Sequence, residues 1–163
     1  MTEQTHIIGL GNPVAGDDAI GLRITEDLQS IYHSRSTIKI SGCCQSGLYL
    51  LDHFIGFKRI VIIDAIVDQS RPVGEIVPLE LPEEQDMPPG VSPHFIGIHS
   101  VISLGKKYQL AMPEELLIFG IVIHEDQEIR ETLSFDLQKR YKNILDNIIR
   151  TVDSLTGVPA ECA

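Results

Sequence analysis

Cysteine is scarce in this chain of 163 residues, and the three present do not combine into a framework. Cys43 and Cys44 are adjacent and Cys162 stands near the C-terminus, so neither a set of disulfides nor a C-x-x-C ligand pair can be read from them. Reduced thiols in a reducing compartment are the expectation. Bases are also few: 13 Lys and Arg against 23 Asp and Glu, a formal net charge of -10 at pH 7. The densest basic stretch, Lys139-Arg140-Tyr141-Lys142, falls on an amphipathic helical pattern and reads as a solvated face, which argues against a duplex nucleic acid partner. No window approaches the roughly 18 to 20 apolar residues that cross a bilayer. MTEQTHIIGL at the N-terminus has neither a basic flank nor a long apolar stretch, and a cytoplasmic protein is expected. Internal repeats, a G-x-S-x-G elbow, a P-loop and an H-E-x-x-H pair are missing as well.

What is present is an alternation of short apolar runs with longer segments of helical period. That pattern predicts a three-layer α/β/α fold, a mostly parallel twisted sheet of about five strands with helices on both faces. Length suits one domain over residues 1–163, with a loose tail after Gly157. Thr5 to Leu10 reads as the first strand, followed by a helix carrying Ile20, Ile24, Leu28 and Ile31. Thr37 to Ile40 alternates as a half-buried strand, and Ser46 is placed to cap a helix with Leu48, Leu51, Phe54 and Ile55. Ile60-Val61-Ile62-Ile63 is apolar on both faces, as a central parallel strand must be. Gly74 to Leu79 is a strand held to an edge by Pro78, which has no N–H to give a ladder. The stretch from Leu81 to Pro93, crowded with prolines and carboxylates, reads as a long surface loop. A helix containing Ile98, Val101, Ile102 and Tyr108, a strand from Leu116 to Ile123 and a closing helix from Leu137 to Leu155 complete the chain.

GLGNPVAGDD, residues 9 to 18, begins like a dinucleotide loop but has Val14 where the third glycine of G-x-G-x-x-G belongs. It also sets Asp17 and Asp18 at the helix start, where a pyrophosphate would be repelled. A helix cap from one and a favourable charge on the helix dipole from the other explain the pair locally, and a cation-facing role for both in a glycine-rich loop at a strand's carboxyl end stays open beside that reading. Asp64 is the first polar residue after the most apolar run and stands at the carboxyl edge of the sheet, where open α/β folds bind ligands. His94 follows Pro93 at the start of a helix, with His124 at the end of the last strand as its rival. His33 and His53 are placed on helix surfaces and His6 in the first strand. Two carboxylates and an imidazole on three connections suit a borderline metal. A thiol nucleophile at Cys43 or Cys44 stays open beside the commoner reading of both as small packed residues.

GLGNPVAGDDAIG at 9–21, VIIDAIV at 61–67 and SPHFIG at 92–97, in this order and spacing, resemble the nickel-iron hydrogenase maturation endopeptidases over nearly the whole chain. The resemblance implies a cytoplasmic enzyme that removes a short C-terminal extension from the hydrogenase large-subunit precursor once nickel has been inserted. It places the family's catalytic and metal-contacting residues on Asp18, Asp64 and His94, with the nickel supplied by the precursor, and leaves Asp17 as the helix cap. Ser41-Gly42-Cys43-Cys44-Gln45-Ser46-Gly47 departs from the small glycine- and threonine-rich turn usual in relatives. The acidic loop from Glu83 to Gly90, just before His94, is expected to help select the precursor. Alternatives are a non-catalytic docking chaperone of the same fold and an unrelated metal-dependent hydrolase.

Overall fold

The computed structural model describes residues 4–81, 93–125 and 129–157, with the side chains of 93–96 outside that set. The loop from Glu83 to Gly90 and the tail after Gly157 therefore lie outside the described residues. Five strands form one sheet in the order β2-β1-β3-β5-β4. They are β1 (Thr5–Leu10), β2 (Ile38–Cys43), β3 (Arg59–Val67), β4 (Ile76–Leu79) and β5 (Glu115–Ile123). All neighbours are parallel except β4, which pairs antiparallel with β5 at the edge, Pro78 lying opposite Phe119. The edge position expected from Pro78 is thus the one it occupies.

Strand alternation sorts the apolar side chains into two cores. Ile7, Val61, Ile63, Ile121 and Ile123 meet α1 (Ile20–Ile31) and α4 (Phe135–Thr156) on one face. Ile8, Leu10, Ile60, Ile62 and Ile118 meet α2 (Leu51–Phe54) and α3 (Pro93–Lys107) on the other. The three-layer α/β/α expectation holds. Helix α4 starts where its chemistry dictates: the Ser134 side chain accepts from the Leu137 N–H, and Gly157 closes the helix in the left-handed region.

The boundaries of several elements differ from the sequence reading. Strand β4 begins at Ile76 and not at Gly74, which is in left-handed backbone, and α3 ends at Lys107, one residue short of Tyr108. The helix expected after Ser46 is a 3₁₀ turn, Gly47–Leu50, followed by the single turn of α2, and the Ser46 side chain makes no capping bond. The segment is confined between Gly47 and Gly56, both in left-handed backbone, which leaves no length for a regular helix. Strand β2 continues through Ser41, Gly42 and Cys43, because the ladder with β1 extends to Leu10 opposite Cys43. Strand β3 runs on to Val67, three residues beyond Asp64, because β5 pairs with it to the Val67–Ile123 register.

Strand β1 and helix α1 approach more closely than side chains would permit. A methyl group on Gly9 would collide with the Gly21 carbonyl and the Thr25 hydroxyl, and one on Gly21 with the carbonyls of Leu10 and Ile63. Thr25, fully buried, turns its hydroxyl back to the carbonyls of Gly21 and Leu22 at 3.0 and 2.9 Å. The glycine that closes helix onto strand is therefore Gly21, inside the helix. Gly21→Ala is expected to lower stability by about 1–3 kcal/mol or more through forced separation of α1 from β1. A urea unfolding curve measures it, and an unchanged midpoint would show that the two elements do not need this contact.

Candidate active site

The sheet order makes the boundary between β1 and β3 its switch point: from β1 the chain passes through α1 to β2 on one side, and later returns as β3 on the other. Pairing of β1 with β3 stops at Gly9 opposite Ile63, so Asp64 is the first residue of β3 beyond the recorded β1 ladder. It is wholly buried, and alternation puts it with Ile60, Ile62 and Ile66 on the face of α2 and α3. Its Oδ1 accepts the Ala65 N–H at 2.9 Å. A buried carboxylate is costly unless hydrogen bonds or a cation compensate it, and the switch point at which it stands is where open α/β sheets bind their ligands.

Asp18 enters from the loop after β1. The loop turns at Gly11, where a side chain would strike the Asp18 carbonyl, and the Asn12 N–H donates to Asp18 Oδ2 at 2.8 Å. That bond holds a half-buried carboxylate at the carboxyl edge of the sheet. His94 is the second residue of α3. One turn further on, Gly97 fits so tightly against the backbone of Gly47 that a side chain there would collide, which fixes the start of α3 beside the connection leaving β2. Structure thus brings the backbone positions of all three expected residues to one edge of the sheet, while the His94 side chain lies outside the described residues. Among the described residues no three His, Cys, Asp or Glu side chains converge as a metal site. The rival, His124, follows β5 and its Nε2–H donates to the Arg71 carbonyl at 3.0 Å.

Asp17 is not the helix cap expected of it. It is buried, its Oδ1 accepts the Ser134 N–H at 2.5 Å, and Arg130 approaches the same oxygen at 3.6 Å. The helix it belongs to is a short 3₁₀ turn, Gly16–Ala19, without a side-chain cap. The backbone joins in: Gly16 N–H donates to the Arg130 carbonyl at 2.8 Å and Arg130 N–H to the Val14 carbonyl at 3.1 Å. The adjacent acids therefore point apart, Asp17 fastening the loop to the start of α4 while Asp18 stays at the edge. Arg130 and Ser134 carried no sequence signal for this role beyond Ser134 preceding a helical run.

His53 also departs from expectation, since it is half-buried against His6 with ring centroids 5.5 Å apart. The His53 carbonyl can only accept, so the His6 proton lies on Nδ1, which donates to it at 2.8 Å. His6 Nε2 then accepts the Ser41 hydroxyl at 2.7 Å. Burial pulls the His6 pKa down to about 4, with smaller contributions from the His53 carbonyl, which raises it, and Lys39, which lowers it. Burial lowers that of His53 too. Cys43 is a buried strand residue whose thiol burial pushes up in pKa, which suits packing and not nucleophilic attack; Cys44 is exposed.

The comparisons bear on this geometry. The HycI family model, described as hydrogenase maturation protease, matches residues 22–152. The hydrogenase 2 maturation protease of Escherichia coli K12 is 28% identical over 120 residues, 71% of each chain. The hydrogenase expression/formation protein HoxM of Azotobacter vinelandii is 26% identical over 132 residues, 78% of this chain and 61% of that one. Among solved structures, the hydrogenase maturating endopeptidase HybD from E. coli superposes with a TM-score of 0.78 at 25% identity, covering 96% of both chains. The NiFe hydrogenase maturation protease HycI of Thermococcus kodakarensis shares the fold, with a TM-score of 0.66 at 21% identity over 90% of both.

Two expectations follow for this region. Asp17→Ala removes a buried carboxylate and leaves the part-buried Ser134 N–H without its acceptor, at a cost of about 1–3 kcal/mol, whereas Asp18→Ala, whose bond to Asn12 is exposed, costs less. Chemical denaturation of both variants compares them, and equal losses would deny the two acids separate roles. The second concerns pH. Below about 6.5 the unfolded chain protonates His6 while the folded chain does not until about 4, so stability falls as pH drops through that window. The slope reaches about 1.4 kcal/mol per pH unit for this group, and His6→Asn should flatten it in unfolding curves taken across the window.

Proposed function

Because the chain belongs to the hydrogenase maturation protease family and is a peptidase, we propose that it removes the C-terminal extension of a nickel-iron hydrogenase large-subunit precursor after nickel insertion. Asp18, Asp64 and His94 are the residues that meet the nickel, which arrives as part of the substrate. The observation that carries this reading is the buried Asp64 at the sheet's switch point, with Asp18 delivered beside it from the next connection. Oxygen and imidazole donors suit a divalent ion of intermediate softness.

The chain's own contribution is position. Asp64 is set by a strand paired on its β5 side, Asp18 by the loop that Asn12 and Asp17 hold, and His94 by the first turn of a helix packed at Gly97. Docking on a metal carried by the precursor places the scissile peptide at this edge, next to a Lewis acid that favours attack by water. One water is then added across the C–N bond and the extension leaves with a new amino terminus. The enzyme works in the cytoplasm in this proposal, in keeping with free Cys43 and Cys44 and with the lack, among the described residues, of a helix long and apolar enough to cross a membrane.

Intact-mass measurement of the precursor, loaded with nickel or empty, tests the reading. Wild type should shorten only the loaded form, and Asp64→Asn and Asp18→Ala should each slow the loss on the order of 100-fold by misplacing the substrate. Tight binding of the precursor without any change of mass would instead identify a docking chaperone.

A further inference from the structure

Seven large apolar side chains are exposed among the described residues, and they are not scattered. Val14, Leu48, Tyr49, Val67 and Ile129 stand on connections at the carboxyl edge of the sheet: the glycine loop, the turn after β2, the last residue of β3, and the residue before Arg130, which is bonded to Val14. The other two, Tyr108 and Phe135, lie under lysines, with Lys107 Nζ 5.7 Å and Lys139 Nζ 4.0 Å from the ring centroids. No cation covers the Tyr49 ring among the described residues, although it is 68% exposed. An apolar collar concentrated around one edge marks an interaction surface.

Charge at the same edge narrows the partner. Asp18, Glu125 and Glu131 are exposed or half-exposed there, while the arginines nearby already face carboxylates: Arg23 meets Glu26 at 3.4 Å, Arg71 meets Asp68 and Glu75 at 3.3 and 2.8 Å, and Arg130 meets Asp17. The spare charge is negative. We propose that this collar is the docking surface for the precursor, and that it receives an apolar polypeptide segment flanked by basic residues, seated around the carboxylates by Leu48 and Tyr49 on one side and Val14 and Ile129 on the other. This rests on the peptidase reading and adds to it where the protein partner is gripped, apart from the metal.

Steady-state cleavage of nickel-loaded precursor separates the two. Leu48→Asp/Tyr49→Asp and Val14→Asp/Ile129→Asp, each checked for folding by circular dichroism, should raise KM tenfold or more with kcat unchanged. Tyr108→Asp, beyond the far end of α3 from His94, should leave both constants alone. Wild-type KM should rise between about 0.05 and 0.5 M salt as the charge attraction is screened. Unchanged KM in both folded edge variants overturns the collar, and a salt-independent KM overturns the basic flank. A wild-type protein that leaves the loaded precursor intact overturns the peptidase reading itself, a result distinct from either.

Discussion

The contact on which the site depends is the one between two glycines, Gly9 in β1 and Gly21 in α1. With no side chain on either, the helix settles onto the strand end, and the eleven residues between must complete a turn in little space. That compression explains why the connection is a tight loop plus a 3₁₀ turn in place of an extra helical turn. It also explains why neighbouring acids diverge. In so short a turn, successive side chains cannot share a direction, so Asp17 is driven inward to Ser134 and Arg130 while Asp18 is left at the edge.

Asp64 answers to a different constraint. Strand β1 leaves the sheet at Leu10, but β3 keeps β5 as a partner for the whole of its length. Past that point β3 retains a ladder on one side, which is enough to hold its backbone straight, while on the other side its pairing with β1 has ended. A carboxylate on this stretch is positioned by a strand and yet can face a ligand. Burial there has a cost that hydrogen bonds, such as the one from the Ala65 N–H, or a countercharge must offset.

Much of this was legible before the fold was known, and the reasons are particular. Ile60 to Ile63 is apolar at every position, so a central strand followed, and Asp64 was conspicuous as its first polar residue. Pro78 gave its strand an edge because the ladder has no use for a residue without N–H. What could not be read were the bonds between distant segments. Nothing local says that Asp17 will meet residues more than 110 positions away, so a helix cap, which is a local device, was the natural assignment. His53 failed for a like reason: in a pattern read as helix it belonged outside, but the segment is too short to be a helix and its one turn lays the ring beside His6. Gly21 was hidden by the habit of seeking three glycines at fixed spacing, when the requirement is only that strand and helix touch.

Both faces of the sheet contribute to the edge in unequal ways, and the inequality has a consequence for how the protein reads a partner. The α1 and α4 side supplies rigidity, through Asp17, Arg130 and the capped start of α4, and it fixes Asp18. The α2 and α3 side supplies short, glycine-bounded segments, with Leu48 and Tyr49 standing out from a turn between Gly47 and Gly56. Changes in that turn alter the outline of the collar without passing through the strands that hold Asp64 or the loop that holds Asp18. A fold so divided can keep its carboxylates in place while the Leu48–Tyr49 side of the surface is refitted to another precursor, since that turn and the carboxylates depend on separate sets of contacts.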